Sequence, residues 1–256
     1  MDLEKKWLLK EKYNGVESAA FHADLELLSK GVPLAYLIGS VPFLGCTIYL
    51  NSRPLIPRPE TEFWTEKAIK EINQYLITQK SLSNEKKYPV VRVLDLCAGS
   101  GAIGVAVAKA LPEVEVSFGE IDYNHIKTIK MNVEKNIPEY SNRLEYLTSN
   151  LFTDVDGVFD FILTNPPYID PSIDRAEISV KEYEPHLALY GGVKGMEIIE
   201  NIIGQAGSHL TENGQLWIEH EPEQTPLLQK NARTHDFKIK THPDQYEIER
   251  YSILKR

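Results

Sequence analysis

Cysteine is scarce: 256 residues hold only Cys46 and Cys97. They stand far apart and form no metal-binding or redox spacing. Basic residues are also in deficit, with 28 Lys and Arg against 37 Asp and Glu, a net charge of −9. Surfaces that bind DNA or RNA usually carry a basic excess that displaces counterions, so this balance argues against a nucleic-acid partner. No apolar run approaches the roughly 20 residues of a membrane span. The N-terminus has neither the apolar core of a signal peptide nor an Arg-rich transit pattern. A reducing cytosol, without a membrane partner, is therefore the expected setting. There is no internal repeat, no low-complexity tract and no Gly-x-Ser-x-Gly nucleophile pattern. Glu219-His220-Glu221-Pro222-Glu223 gathers acids around a histidine. It contains a proline and lacks helical His–His spacing, so it reads as a solvated strand-end loop, and no metal is expected.

What is present is organised around two short segments. Phe159 to Thr164 reads as a buried strand that runs directly into Asn165-Pro166-Pro167-Tyr168. The Asn165 side chain and the Pro166 backbone each offer a carbonyl acceptor, so together they could hold both hydrogens of an –NH2 group. The two prolines stiffen the loop before any substrate arrives. Tyr168 adds a flat apolar wall with a polar tip. The plainer alternative is a Pro–Pro turn that caps a strand.

Upstream, Val90 to Leu96 reads as a strand, Cys97-Ala98-Gly99-Ser100-Gly101 as a small-residue turn, and Ala102 to Ala108 as a helix. That is the opening unit of a doubly wound α/β sheet. The turn lacks a Lys-Ser/Thr pair, which disfavours a phosphate-cradling P-loop. The following strand, Val114 to Gly119, ends in Glu120. A carboxylate there could accept hydrogen bonds from both ribose hydroxyls of an adenosine ligand, or could be a solvated loop acid. Asp122, two residues later, suits the N-cap of the next helix.

These two segments together resemble the class I S-adenosylmethionine-dependent methyltransferases. Leu55-Ile56-Pro57-Arg58-Pro59-Glu60-Thr61-Glu62, and Glu184-Pro185-His186-Leu187-Ala188-Leu189-Tyr190-Gly191-Gly192 with Gly195 beyond, narrow the likeness. From about Pro33 to the C-terminus the chain is similar to the protein-glutamine N5-methyltransferases that modify peptide chain release factors. The Pro-Arg-Pro-Glu-Thr-Glu segment is the specific element, because many nucleic-acid methyltransferases share the Pro-Pro-Tyr loop without it. The resemblance implies S-adenosyl-L-methionine as cofactor and a release factor as protein partner. It implies catalytic roles for Asn165, Pro166, Pro167 and Tyr168. Cofactor contacts would fall on Cys97 to Gly101, Glu120, Asn150, Leu151 and Asn165. Substrate contacts would fall on Arg58, Pro59, Glu60 and Thr61, with Asn165 and Tyr168.

Three positions depart from the family pattern. Cys97 replaces a glycine, which a backbone φ below zero would allow. Asn150-Leu151 replaces an acidic–aromatic pair, keeping an acceptor for adenine but losing a stacking ring. Lys194 stands where the family usually has Asp. Methylation of an amino group on a nucleic acid is the alternative function, since it uses the same loop chemistry on a flipped base. A catalytically silent scaffold is a third class, and the intact Asn165, Gly99 and Gly101 argue against it.

At this length the chain can hold one large domain and a small appendage. Residues 1–34 read as a short helical region of two helices, and 35–58 as a β-hairpin connector whose strands run from Ala35 to Gly39 and from Phe43 to Leu50. Residues 59–256 read as the methyltransferase domain. Cys46 falls in the hairpin and reads as core. Phe63 to Ile77 reads as a helix and Lys80 to Tyr88 as a linker. Strand–helix alternation continues through residue 163. Met196 to Leu210, Gln215 to Glu219, Glu223 to Thr234 and strands near 236–241 and 248–254 complete a seven-stranded, mostly parallel sheet. The resemblance implies that its last strand is antiparallel.

Overall fold

The computed structural model of the chain describes residues 2–82, 90–173 and 176–256. The two expected N-terminal helices, α1 (Asp2–Glu11) and α2 (Ala19–Ser29), are followed by a third, α3 (Leu34–Ile38). Ser18 starts α2 by accepting a hydrogen bond from the Phe21 N–H at 3.2 Å. Leu8, Phe21, Val32 and Leu37 form a small core of their own beneath these helices.

α3 occupies the segment expected to be the first hairpin strand. Pro33 supplies a φ of −55° at its start, and Gly39, left-handed at φ 92°, stops it after little more than a turn. The hairpin lies one segment later, as β1 (Ser40–Phe43) and β2 (Cys46–Tyr49). Its two-residue turn, Leu44-Gly45, has positive φ at both positions, the geometry that matches strand twist. Cys46 is 3% exposed and packs in the main core, as expected.

Helix α4 (Pro59–Leu82) begins four residues earlier than Phe63 and extends past Ile77. Proline suits a first helical position, and Glu60 and Glu62 sit in the first turn, where the helix dipole favours negative charge. Most of the Pro-Arg-Pro-Glu-Thr-Glu segment is thus a helix start rather than a loop. Residues 80–82 of the expected linker belong to α4, and residues 83–89 lie outside the described part.

Beyond α4 the chain builds one seven-stranded sheet from β3 (Arg92–Leu96), β4 (Glu115–Glu120), β5 (Leu144–Thr148), β6 (Phe159–Thr164), β7 (Leu210–Glu219), β8 (Lys238–Pro243) and β9 (Glu249–Lys255). The strand order is β5-β4-β3-β6-β7-β9-β8. The pairings are parallel up to β7, while β9 runs antiparallel to both β7 and β8. The sheet is the doubly wound, mostly parallel one expected, with the antiparallel last strand that the family likeness implied.

Continuous apolar runs make these strands, because both sheet faces are covered. Val93, Phe161, Leu163 and Trp217 face α4, α5 (Ala102–Ala110) and α6 (Tyr123–Asn136). Leu94, Leu96, Ile162, Leu216 and Ile218 face α9 (Glu197–His209) and α10 (Thr225–Thr234). Two short helices, α7 (Ile178–Tyr183) and α8 (His186–Leu189), precede α9. Two boundaries differ from expectation. The alternation of strand and helix stops at β5, which reaches β6 through turns over 149–158. β7 starts at Leu210 rather than Gln215, with an irregularity in its pairing to β6.

Asn132 and Asn136 of α6 join the hairpin to the sheet domain. Asn132 bonds the N–H and the carbonyl of Tyr49, and Asn136 those of Thr47, at 2.8–3.0 Å. Two side-chain amides therefore pair the open edge of β2 as a neighbouring strand would. Asn132 also donates to the carbonyl of Ser100 at 2.9 Å, which ties the hairpin to the glycine turn. Among the described residues, no helix is long and apolar enough to cross a membrane.

Candidate active site

The strand order reverses between β3 and β6, and crevices at the carboxyl ends of such strands are where open α/β sheets bind ligands. Leu96 is paired with Thr164, so Cys97 and Asn165 leave the sheet side by side. Gly119 is paired with Leu96, and Glu120 with Thr148, so Glu120 and Asn150 emerge at the same end. Residues far apart in the chain are thus gathered on one rim.

Glu120 is 5% exposed, which rules out a solvated loop acid. Its Oε2 accepts from the Gly99 N–H at 2.7 Å and its Oε1 from the Asp122 N–H at 2.9 Å. Each oxygen keeps lone-pair capacity for a further donor. Asp122 caps α6 as expected, accepting from the Asn124 N–H at 2.7 Å.

Cys97 departs from the condition expected of it: its φ is +60°, not negative. The turn requires that conformation because the next N–H, of Ala98, bonds back to the Gly119 carbonyl of β4. A non-glycine residue bears roughly 1–2 kcal/mol of strain there. Burial pushes the Cys97 thiol up to about 12, so it is a neutral wall rather than a nucleophile. Gly101 is left-handed (φ 77°), and a Cβ on it would come within 3.0 Å of Ile129. Any other residue there would combine left-handed strain with pressure on the Ile129 side chain of α6. Ala98 and Ser100 are buried within the turn and Gly99 is half-buried.

Asn150 is exposed at the end of β5, beside Glu120, whose carbonyl accepts from the Ser149 N–H at 2.9 Å. Leu151 has a left-handed φ of 51° and packs in part against the α9 side of the core.

On the other side of the crevice, the Asn165 amide nitrogen donates to Thr61 Oγ1 at 3.1 Å. Thr61 Oγ1 donates to Glu219 Oε2 at 2.7 Å, and the Trp64 indole N–H reaches the same oxygen at 2.6 Å. The Tyr168 hydroxyl donates to Glu219 Oε1 at 3.0 Å. Glu219 is 1% and His220 0% exposed, which overturns the solvated reading for these two, whereas Glu221 and Pro222 are half-buried and Glu223 is exposed. Glu219 is buried because the start of α4 packs over the end of β7. Burial raises the Glu219 pKa, and its three donors oppose that shift. Burial lowers the His220 pKa, so the ring is neutral at pH 7. His220 Nδ1 lies 2.9 Å from the Glu221 carbonyl and Nε2 lies 2.9 Å from Ser252 Oγ. A carbonyl can only accept, so Nδ1 carries the proton.

The residues expected to touch substrate divide accordingly. Arg58 lines the cleft, and its guanidinium is paired with Glu184 at 2.6 Å. Thr61 is 4% exposed and stands behind Asn165. Pro59 is exposed and Glu60 half-buried in the first turn of α4. Asn165, Pro166 and Tyr168 line the cleft, while Pro167 is half-buried beside it. The polar tip of Tyr168 is held by Glu219, so its ring is what the cleft receives.

The loop is pinned from below by the second segment of the family likeness. Buried Glu184 accepts from the Ile56 N–H at 2.9 Å as well as from Arg58, fixing the approach to α4. Ile169 and Tyr190 form a parallel bridge, and Gln224 donates to the Tyr168 carbonyl at 2.7 Å and the Lys194 carbonyl at 3.0 Å. Lys194 (φ 55°) therefore serves this junction through its backbone carbonyl. A Cβ at Gly195 would lie 1.9 Å from the Tyr168 carbonyl and 2.4 Å from Gln224 Nε2. We expect Gly195→Ala to destabilise the fold by roughly 2–4 kcal/mol, from overpacking plus left-handed strain. Thermal melting checks this; a midpoint equal to wild type would show that the contact is slack.

Glu219, Trp64, Glu184 and Gln224 received no role from sequence. Glu219 did carry a signal: like Glu120, it is an acid at the last position of a strand.

The cleft has a volume of about 730 Å³. Leu55, Ile173, Val180 and Leu227 supply apolar walls. Asp170, Glu177, Glu221 and Glu223 outnumber Arg58 and Lys194 around it.

Comparison with known proteins agrees with this fold. The family model for the methyltransferase small domain matches residues 75–181. The ribosomal protein L11 methylase of Lactobacillus delbrueckii subsp. bulgaricus shares the fold, with a TM-score of 0.53, 19% identity and coverage of 80% of this chain and 81% of that one. The N-terminal domain of human METTL16 in complex with SAH does so with a TM-score of 0.56, 16% identity and coverage of 83% and 76%. Sequence likeness reaches further than fold. The release factor glutamine methyltransferase of Rhodopirellula baltica is 37% identical over 209 residues, 80% of this chain and 67% of that protein. The enzyme of the same name from Lactococcus lactis subsp. lactis is 30% identical over 252 residues, 97% of this chain and 86% of that protein. A methyltransferase fold, an Asn-Pro-Pro-Tyr loop at its switch point and identity of this order along most of its length give one assignment: the chain belongs to the release factor glutamine methyltransferase family.

Proposed function

We propose that this methyltransferase uses S-adenosyl-L-methionine to methylate the side-chain amide nitrogen (N5) of the glutamine in the Gly-Gly-Gln motif of a peptide chain release factor. The observation that carries the reading is the position of Asn165 and Pro166, at the carboxyl end of β6, directly beside the glycine turn that follows β3. The residues of that turn fit the cofactor. Glu120 presents a buried carboxylate with spare lone pairs, and Gly99 to Gly101 leave backbone open to close approach. Cys97 to Gly101, Glu120, Asn150 and Leu151 would hold it, and when bound it supplies an electrophilic methyl group on a sulfonium.

An amide nitrogen is a weak nucleophile because its lone pair is delocalised into the carbonyl. Placement for in-line attack is therefore the main demand. Asn165 Oδ1 and the Pro166 carbonyl would each accept one amide hydrogen and aim the nitrogen. As positive charge grows on that nitrogen both hydrogen bonds strengthen, which favours the transition state over the bound substrate. The Tyr168 ring would pack against the amide plane. No base is needed beforehand, since the proton can leave to water after transfer.

The acidic surround of the cleft supports a protein acceptor over a nucleic acid, whose phosphates it would repel. A release-factor acceptor puts the reaction in the cytosol. In this reading residues 59–256 are the catalytic domain, 35–58 the connector and 1–34 a helical appendage, with Arg58, Pro59, Glu60 and Thr61 at the substrate side. Incubation with labelled cofactor, a purified release factor and total RNA, followed by mass spectrometry, tests it. One added methyl on the glutamine of the Gly-Gly-Gln peptide is expected. Labelling of RNA at a matching rate, or of the factor at another residue, would sink the reading.

A further inference from the structure

We propose that Glu219 and Thr61 are positioning residues that decide which end of the Asn165 amide faces the acceptor, and so make the site selective for an –NH2 group. This rests on the amide-methylation reading above.

The two ends of an asparagine amide are nearly equal in shape, and only its hydrogen-bond partners distinguish them. Here the partners form a chain whose polarity can be followed atom by atom. The Trp64 indole nitrogen can only donate, so Glu219 Oε2, 2.6 Å away, must accept. Thr61 Oγ1 lies 2.7 Å from that same oxygen and has a single hydrogen, which goes there. Towards Asn165, 3.1 Å away, Thr61 is left with lone pairs alone. Only the –NH2 end of Asn165 satisfies them.

That orientation turns Oδ1 away from the buried network and towards the cleft that Asn165 lines. The reverse orientation would set Oδ1 against lone pairs and present –NH2 to the –NH2 of an acceptor amide. Glu219 also takes the Tyr168 hydroxyl on its other oxygen, so one buried carboxylate orients two members of the loop from behind. If Thr61 cannot accept, or Glu219 cannot hold the Thr61 hydrogen, nothing prevents Asn165 from turning over.

A double-mutant cycle on methyl transfer to a Gly-Gly-Gln peptide tests the relay. Thr61→Val keeps the shape but removes the hydroxyl. We expect it to lower kcat about tenfold with substrate KM changed less than about twofold, because a correctly bound but misoriented amide loses transition-state contacts. Thr61→Ser should recover most of that loss. With Asn165→Ala already in place, Thr61→Val should change the remaining rate by less than about twofold, since its effect passes through Asn165. Equal fold-losses in both backgrounds would overturn the proposal, as would a wild-type kcat in Thr61→Val.

Should Thr61→Val fail to fold, Glu219→Gln and Glu219→Met replace it. The glutamine keeps a carbonyl for Trp64 and Thr61 and should retain clearly more kcat than the methionine. Equal losses would count against the relay. A separate arm needs no acceptor: in ¹⁵N-asparagine-labelled enzyme, the side-chain amide signal that Asn165→Ala removes should exchange slowly with water, and rapidly in Thr61→Val. If the wild type methylates no Gly-Gly-Gln peptide, the proposed function fails while this arm still decides the orientation, and fast exchange in the wild type would end the proposal.

Discussion

Asn165→Ala leaves cofactor affinity near wild type and lowers methyl transfer by roughly 10²–10³, the usual loss when one preorganised transition-state contact is removed. In the proposed reaction the contact is made to the acceptor nitrogen, so single-turnover rates should fall while calorimetric binding of cofactor holds. The variant also strips Thr61 Oγ1 of its donor. The hydroxyl still donates to Glu219, so the loss is one accepted hydrogen bond, about 0.5–1.5 kcal/mol of stability, and folding must be measured beside activity. Asn165→Asp is the sharper comparison. It keeps an acceptor and adds charge that favours a cationic transition state. The new carboxylate, however, would meet the lone pairs of Thr61, with only that residue between it and the buried Glu219 carboxylate. Like charge at that range raises the pKa of the pair. Partial activity is expected for the aspartate and very little for the alanine. Wild-type turnover in Asn165→Ala would reduce Asn165 to a strand cap and remove the basis for amide activation at this loop.

Glu120→Ala should weaken S-adenosylmethionine binding by about 1.5–3 kcal/mol, the worth of a charge-assisted contact to the two ribose hydroxyls. The structure adds a second consequence. Both carboxylate oxygens also receive backbone N–H groups, of Gly99 and Asp122, so the alanine loosens the glycine turn and the entry to α6 together. Glu120→Gln is expected to be nearly as harmful. Its –NH2 end must oppose one of those two N–H donors, which no rotation avoids. Calorimetry on the three proteins measures this. Unchanged affinity in the alanine variant would move the ribose contact elsewhere, Asp122 being the nearest acid in sequence.

Both results depend on features whose legibility in the sequence differs. Glu120 can be placed at a strand end because Val116, Phe118 and Gly119 precede it, but its burial and the bond from Gly99 come from the glycine turn folding back over it. Pro166 and Pro167 mark where β6 stops. Cys97 defeats a sequence reading because the sign of its φ is set by the bond from Ala98 to Gly119 on the neighbouring strand, which no local pattern reveals. The segment 34–38 differs from expectation for the opposite reason. Its apolar run suits a strand or a helix, and the local punctuation by Pro33 and Gly39 decides for the helix.

By itself the sequence determined the sheet, its carboxyl-end rim and the stop of β6 at Asn165 and Pro166. These depend on periodicity, glycine and proline, which act over a few residues. Tertiary structure alone decided that Thr61, Trp64, Tyr168 and Glu219, spread over more than 150 positions, share one buried carboxylate. It also placed Thr61, in the Pro-Arg-Pro-Glu-Thr-Glu segment, in the buried layer directly behind Asn165. The reason is physical: the ionised state and hydrogen-bond polarity of a buried acid depend on which donors packing brings to it, and those donors come from other elements of the chain.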